Sequence, residues 1–468
     1  MNRRSGPGED LDHLRSEGDL NLSPRRRAWT TESIAAETQR LLEEDAKYFL
    51  HQSLSTPCLN ALRSCRGAWI EDVEGRRYLD FHGSNVHQVG FSHPRVIAAI
   101  KEQLDTLSFC TRRYTCEPAV ALAKRIAELA PGDLDRVLFA PGGTTAIGMA
   151  LKLARVATGR FKFISLWDSF HGASLDAISV GGEALFRSGI GPLLPGCEHA
   201  PPPDPRHCPF RCGNACDLAC ADYIGYVLEK EGDVAAVIGE TVRCTPFIPP
   251  PDYWKRIGAA CAKHGALLIL DEIPVGLGRT GRLFACEHYG VVPDMLVLGK
   301  GLGGGVFPLA ALVARAGLNV AADKALGHYT HEKNPVACAA GLATLNVIEQ
   351  EQLVERSRAL GEQALERMRT MAGRHPLIGE ARGLGLMMGI ELARERQPLA
   401  RATDEAERVM YAALRRGLNF KVTMGNILTL TPALTISRSE LDQAFDILDG
   451  CIGEIEAAGE PAGAGPPG

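Results

Sequence analysis

The chain has 468 residues, 45% apolar and 23% charged, with a formal net charge of −5. That balance suits a folded, water-soluble protein and lacks the basic field of a nucleic-acid or anionic-membrane binder. No apolar run reaches the ~18 residues of a spanning helix, and no hydrophobic segment follows the charged N-terminus as a secretory signal requires.

Residues 1–28 are polar and charged without a sustained period, and are expected to form a mobile arm. "GAWIEDVEGRRYLDF" (67–81) reads as a hairpin, within a segment 29–85 expected to join a small lobe. Residues 86–333 read as a large α/β domain. There "EPAVALAKRIAELAP" predicts an amphipathic helix, "RVLFAPGG" a strand entering a glycine turn, and "TAIGMALKLARVAT" the next helix. "FKFISL", "DVAAVIGE", "ALLILDE" and "MLVLGK" read as strands, with "PDYWKRIGAACAKHG" a helix among them. Short apolar runs between helices predict a mostly parallel sheet covered on both faces. From 334 to 456 the texture becomes that of a smaller α+β domain: a long helical stretch from Asn334 to Ala372, strand-like "LIGEARGLGLMMGIEL", the helix "DEAERVMYAALRRG", the strand region "NILTLTPALTIS" and a last helix. The Pro/Gly-rich tail, 457–468, is expected to be disordered.

Strands of an open α/β sheet carry functional groups at their C-terminal ends. "ALLILDE" ends in Asp271 and Glu272, and "MLVLGK" ends in Lys300, followed by Gly301, Gly303, Gly304 and Gly305. A phosphate-binding P-loop is excluded, because Asp294 and Gly301 stand where that motif needs a glycine and a Ser or Thr. An aspartate and a lysine in one dry cleft instead meet the needs of pyridoxal 5'-phosphate: the amine forms a Schiff base with the aldehyde, and the carboxylate pairs with the pyridinium nitrogen. The glycines are expected to let the backbone approach a flat cofactor.

"LLILDEIPVGLGRTGRLFACEHYGVVPDMLVLGKGLGGGVFPLAA" resembles the signature of the class III aminotransferases, enzymes of pyridoxal-phosphate fold type I. "GAWIEDVEGRRYLDFHGSNVHQVGFSHPRVIAAIKEQL", "FHGAS" and "RGLGLMMGIEL" extend the resemblance over roughly residues 40–450. It implies a homodimer with shared active sites, Lys300 as the catalytic Schiff-base lysine and Asp271 as its pyridinium partner. It further implies Gly143 and Thr144 at the cofactor phosphate, and Phe170 and His171 at the ring. Thr330 matches a threonine that reaches the phosphate from the partner subunit, although a helix N-cap would also want it.

The departures from the family pattern bear on substrate. Pro274 replaces a glutamine, "GGTTAIG" lacks the glutamates of the usual loop, and Thr429 stands where many members place the arginine that clamps a carboxylate. Losing that bidentate, charge-assisted contact argues against an ordinary α-amino acid. Arg112, Arg113 and Lys421 are the candidate substrate-binding cations, with one of the two adjacent arginines of a strand-like piece expected in the cleft. "FAPGGTTAIGMALKLAR", "WDSFHGASLDAISVGGEALFR", "DEIPVGLGRTG" and "GHYTHEKNP" look like the (R)-1-hydroxy-2-aminoethylphosphonate ammonia-lyases of phosphonate catabolism. That likeness implies that Lys300 removes a proton from the carbon bearing nitrogen, the neighbouring hydroxyl departs, and hydrolysis gives phosphonoacetaldehyde and ammonia. An acid must assist the hydroxyl, and Lys300, His87, His171 and His331 are candidates. An amine transaminase using a keto acid, and an idle family member acting as a scaffold, are the alternatives.

The 14 cysteines of so long a chain read as reduced thiols, in keeping with a cytoplasmic protein. Cys208, Cys212, Cys216 and Cys220 recur at four-residue intervals without the tight pair of a zinc site. They are read as a locally packed group, with the later members on one helix face, and no metal is assigned.

Overall fold

The structure, a computed structural model, describes residues 23–458 except 54, 56, 57, 213–215, 397 and 398. Helix α1 (Pro24–Glu32) begins inside the stretch expected to be a mobile arm. Ser23 caps it by accepting from the Arg26 N–H, and Trp29 is buried with its indole donating to Leu59 O at 3.1 Å. One tryptophan anchors a segment whose polarity hid it. Helix α2 (Ala36–Tyr48) precedes an antiparallel meander, β1 (Leu62–Arg66), β2 (Trp69–Asp72) and β3 (Arg77–Asp80). The expected hairpin is β2–β3, with Trp69 opposite Leu79.

Helices α3 (Pro94–Thr106) and α4 (Glu117–Leu129) lead into the large sheet. Its strands are β4 (Leu134–Ala140), β5 (Lys162–Leu166), β6 (Cys197–Ala200), β7 (Val234–Glu240), β8 (Leu267–Asp271), β9 (Met295–Leu298) and β10 (Ala310–Arg315). Between them run α5 (Gly143–Thr158), α6 (Leu175–Val180), α7 (Ala184–Arg187), α8 (Ala219–Glu231) and α9 (Tyr253–His264). The order across the sheet is β4-β10-β9-β8-β7-β5-β6, parallel throughout from β9 to β6, with β10 antiparallel to both neighbours. Alternate residues feed two cores. Leu268 and Leu270 join one, while Ile269 joins the other with Ile147, Ala150 and Ala154 of α5. Apolarity on both faces is why these strands read as continuous apolar runs.

The long helical stretch is two helices, α10 (Pro335–Gln350) and α11 (Leu353–Arg374), because the chain turns at Gln352 with φ +51°. Then follow β11 (Ile378–Leu384), β12 (Met387–Arg396), β13 (Leu399–Arg401), α12 (Thr403–Arg415), β14 (Leu418–Asn419), β15 (Lys421–Thr423), β16 (Ile427–Leu430) and α13 (Arg438–Ala457). One smaller sheet is β11-β12-β16-β15, with β13 on β12, and the other is β1-β2-β3-β14. Most of the tail lies outside the described residues. Among the described residues, no helix is long and apolar enough to cross a membrane.

Trp254 of α9 is fully buried, donates its indole N–H to Thr241 O at 2.8 Å, and lies so close over Gly239 that a Cβ there would meet the ring at 2.6 Å. It locks the end of β7 in place. Trp254→Ala is expected to cost about 3–5 kcal/mol in chemical denaturation, and a loss under about 1 kcal/mol would mean the strand end is held by other contacts.

Candidate active site

The parallel register brings Glu240 of β7 level with Asp271 of β8, and Asp271 level with Val297 of β9, three residues before Lys300. Lys300 has φ +45°, a left-handed conformation that costs a side-chain-bearing residue energy. All three groups line one cavity of about 440 Å³. The expected meeting of Asp271 and Lys300 in one cleft is what the structure shows. The glycines after Lys300 do other work: Gly301 packs against Gln88, and Gly304 and Gly305 turn the chain at φ +67° and +74° against Val96 and Val86. They do not line the cavity. Close packing of protein on protein accounts for them.

Asp271 is buried, and its carboxylate accepts from His171 Nδ1 at 2.7 Å and from the Ile273 N–H at 3.0 Å. His171 Nε2 is buried without a partner. Phe170 lies beside it, its ring 4.3 Å from that of Phe186 and its N–H donating to Glu240 Oε2 at 3.2 Å. Gly143 and Thr144 open the 16-residue α5, whose N-terminus no side chain caps, and both residues line the cavity. A Cβ on Gly143 would meet Ile273 Cδ1 at 2.8 Å. An uncapped helix end for a phosphate, an oriented carboxylate for a ring nitrogen, an unpartnered imidazole nitrogen and a strained lysine together fit pyridoxal phosphate.

The opposite wall was only partly foreseen. Lys421 lines it as expected, joined by Thr245, Thr423, Thr429 and Arg243. Arg243 is held by Glu183 at 3.0 Å and Glu240 at 3.7 Å. Burial pushes the Glu240 carboxyl up to about 7, against the pull of Arg243 and His171. Burial likewise pulls His82, also in the lining, down to about 4, with Lys421 and Lys300 adding to the effect. Glu240 ends "DVAAVIGE" as Asp271 nearly ends "ALLILDE", so its position was readable. Arg243 was not, because only the fold after β7 turns it inward.

Several expected site residues lie outside the chain's own cavity. Arg112 bonds His328 at 2.8 Å and faces Glu332 at 3.7 Å, in a separate cavity, and Arg113 is exposed. Their segment is a turn, so the strand alternation expected to send one inward does not operate. Thr330 is exposed, and the cap of α10 is Asn334, accepting from Ala337 N at 2.9 Å. His331 packs on Phe109 and His87 is stacked on Phe91, both outside the lining. Cys212 is pushed up to about 12 by burial and by Cys208 and Cys216 beside it. Helix α8 starts only at Ala219, so Cys216 and Cys220 do not share a helix face. Among the described residues, no group of His, Cys, Asp or Glu is arranged to hold a metal.

Residues 51–452 match the family model for class III aminotransferases. An (R)-1-hydroxy-2-aminoethylphosphonate ammonia-lyase from Vibrio splendidus is 48% identical over 95% of this chain and 96% of its own. A leucine/methionine racemase from Thermococcus litoralis is 36% identical over 89% and 96%. A Bacillus anthracis aminotransferase structure superposes with TM-score 0.83 at 31% identity, covering 90% of this chain and all of that one. An amine transaminase from an uncultivated Pseudomonas species, solved in its pyridoxal-phosphate-bound form, gives 0.80 at 31% identity over 87% and 99%. This chain belongs to the class III aminotransferase family, it has the family's fold type I, and its cofactor is pyridoxal 5'-phosphate.

The Glu240 carboxyl titrates near 7 in the fold and near ~4.3 unfolded. Its contribution to stability is therefore complete below about pH 4 and lost as pH rises through 7. Glu240→Gln is expected to flatten the fall in Tm between pH 5 and 8, leaving the part due to buried Glu272, which burial also pushes up to about 7. An unchanged slope in scanning calorimetry would show that Glu240 does not titrate there.

Proposed function

We propose that the chain is a pyridoxal-phosphate-dependent ammonia-lyase that converts (R)-1-hydroxy-2-aminoethylphosphonate to phosphonoacetaldehyde and ammonia. The observation that carries this reading is the 48% identity, over nearly the full length of both chains, to the ammonia-lyase of that name. The cavity agrees with it, because Thr429 leaves no arginine clamp for an α-carboxylate at that place.

Bound in this cavity, pyridoxal phosphate supplies a ring that withdraws the electron pair left at the substrate carbon. Gly143 and Thr144 would hold its phosphate, Asp271 its ring nitrogen, and Phe170 and His171 would flank the ring. The His171 and Ile273 hydrogen bonds fix the Asp271 carboxylate, so no reorientation is needed when charge develops. Lys300 Nζ takes the proton from the carbon bearing nitrogen. The carbon–oxygen bond at the neighbouring carbon then breaks, and the oxygen leaves with a proton as water. In this reading Lys300, carrying the abstracted proton, gives it, and His171 and Glu240 are the other candidate acids in the lining. His87 and His331 are not. The resulting enamine becomes an imine and takes up water, giving phosphonoacetaldehyde and ammonia, so one water leaves and one is consumed.

The working unit in this reading is a homodimer, with Thr330 of the partner subunit completing each site. The exposure of Thr330 and its absence from its own chain's cavity support that arrangement.

Purified holoenzyme is expected to release ammonia and phosphonoacetaldehyde in equal amounts from (R)-1-hydroxy-2-aminoethylphosphonate with no keto acid present. Lys300→Ala is expected to lose the cofactor's visible absorbance band and to slow turnover by about 10³-fold or more. Turnover only when pyruvate is supplied would return the chain to the transaminases.

A further inference from the structure

Two cations other than Lys300 line the cavity wall, and their circumstances differ. Arg243 is already paired with Glu183 at 3.0 Å, with Glu240 3.7 Å away. The Lys421 side chain enters no hydrogen bond or ion pair among the described residues, and it is only half buried. A cation left unpaired in a cavity wall is available for an anion that comes from outside the chain.

The hairpin β15–β16 surrounds Lys421 with hydroxyls. Lys421 stands opposite Thr429 in the antiparallel ladder, and Thr423 lies two residues along the same strand, so the three side chains emerge on one face. All three line the cavity. Thr423 and Thr429 have their Oγ1 atoms 2.7 Å apart, and Thr423 Oγ1 also reaches Thr245 O at 3.2 Å. If Thr423 turns its proton from that longer contact to Thr429, the Thr429 proton is released for a ligand oxygen. Thr245 adds a second donor: its Oγ1 is buried, has no partner and belongs to the same lining. An unmade hydrogen bond at a buried hydroxyl costs about 1–3 kcal/mol, which a ligand oxygen would recover.

The donor set matches one shape of anion. A guanidinium presents two parallel N–H groups in a plane and suits a flat carboxylate, as well as one edge of a tetrahedral group. A compact ammonium with hydroxyls approaching from other directions suits three oxygens splayed around phosphorus. We propose that Lys421, Thr245 and the Thr423–Thr429 pair form the seat of the substrate's phosphonate, and that this seat selects a tetrahedral dianion over a carboxylate. The inference rests on the aminophosphonate reading above. Arg243, held in the wall by Glu183, shapes the cavity beside the seat and is not its anchor.

The test uses holoenzyme and two ligands that cannot react, ethylphosphonate and propionate, in isothermal titration calorimetry. Wild type is expected to bind ethylphosphonate at least about tenfold more tightly than propionate. Lys421→Met is expected to lose about tenfold or more for ethylphosphonate and little for propionate. Thr429→Val and Thr245→Val are each expected to lose about three- to tenfold with the same selectivity, and Lys421→Arg to restore part of the loss. Cofactor absorbance and Tm identify any variant that has failed to fold, and Lys421→Arg then carries the comparison. Wild-type ethylphosphonate affinity in Lys421→Met, or an equal loss for both anions, overturns the seat. If wild type eliminates its substrate while these variants bind ethylphosphonate unchanged, the seat falls and the lyase reading stands. If wild type binds ethylphosphonate in the Lys421-dependent way without elimination, the seat stands and the lyase reading falls. If wild type does neither, both fall.

Discussion

The parallel register of β7, β8 and β9 is the constraint from which the site follows. Three strands that finish nearly in step deliver Glu240, Asp271 and, one turn later, Lys300 to a single edge of the sheet. Parallel strands need long connections, and those connections supply the rest: the loop and helix after β4 bring Gly143 and Thr144, and the segment after β5 brings Phe170 and His171. Shifting any of these strands by one residue would turn its terminal side chain to the opposite face and bury a charge among aliphatic groups. That cost opposes the slip, so the cores on the two faces also aim the polar strand ends.

The cavity is a place where charge is managed in opposed ways. On the sheet side, buried carboxyl groups are held by oriented donors: Asp271 by His171 and a backbone N–H, and Glu240 by the Phe170 N–H. On the hairpin side, Lys421 keeps its charge uncommitted beside hydroxyls whose protons can be redirected. Low effective dielectric strengthens the first arrangement and makes the second receptive. A rigid end and an adaptable end in one cavity suit a resident cofactor and an exchanging substrate.

The sheet and half of the site were legible in the residues themselves. "ALLILDE" and "MLVLGK" announce their roles because an apolar run that ends in a charge has few places to sit in a covered sheet. The hairpin at Trp69–Asp80, helix α5 and the strands around it were legible for the same reason: pattern and length agreed. What was not legible depends on where distant segments meet. Arg112 has a guanidinium's chemistry, but only the fold decides that within the chain its turn faces His328 and Glu332. Thr423 and Thr429 share a face because of a cross-strand register that no local pattern encodes. The break at Gln352 has neither Gly nor Pro to mark it, and Trp29 tethers a segment whose composition argued for none.

The short strand β14 pairs in parallel with β3, matching Leu418 to Leu79, and Trp69 donates to Glu440 of α13 at 2.7 Å. The first sheet of the chain is therefore finished by residues that leave the ribosome more than 300 positions later. Throughout synthesis, the meander β1–β3 must wait with one edge open, while the large sheet between can already assemble. Such widely separated pairing slows folding and lengthens the exposure of an unpaired edge. The edge that waits is that of β3, whose Tyr78, Leu79 and Asp80 are buried only once β14 has joined them, whereas β1, exposed along all five residues, remains an edge in the finished sheet.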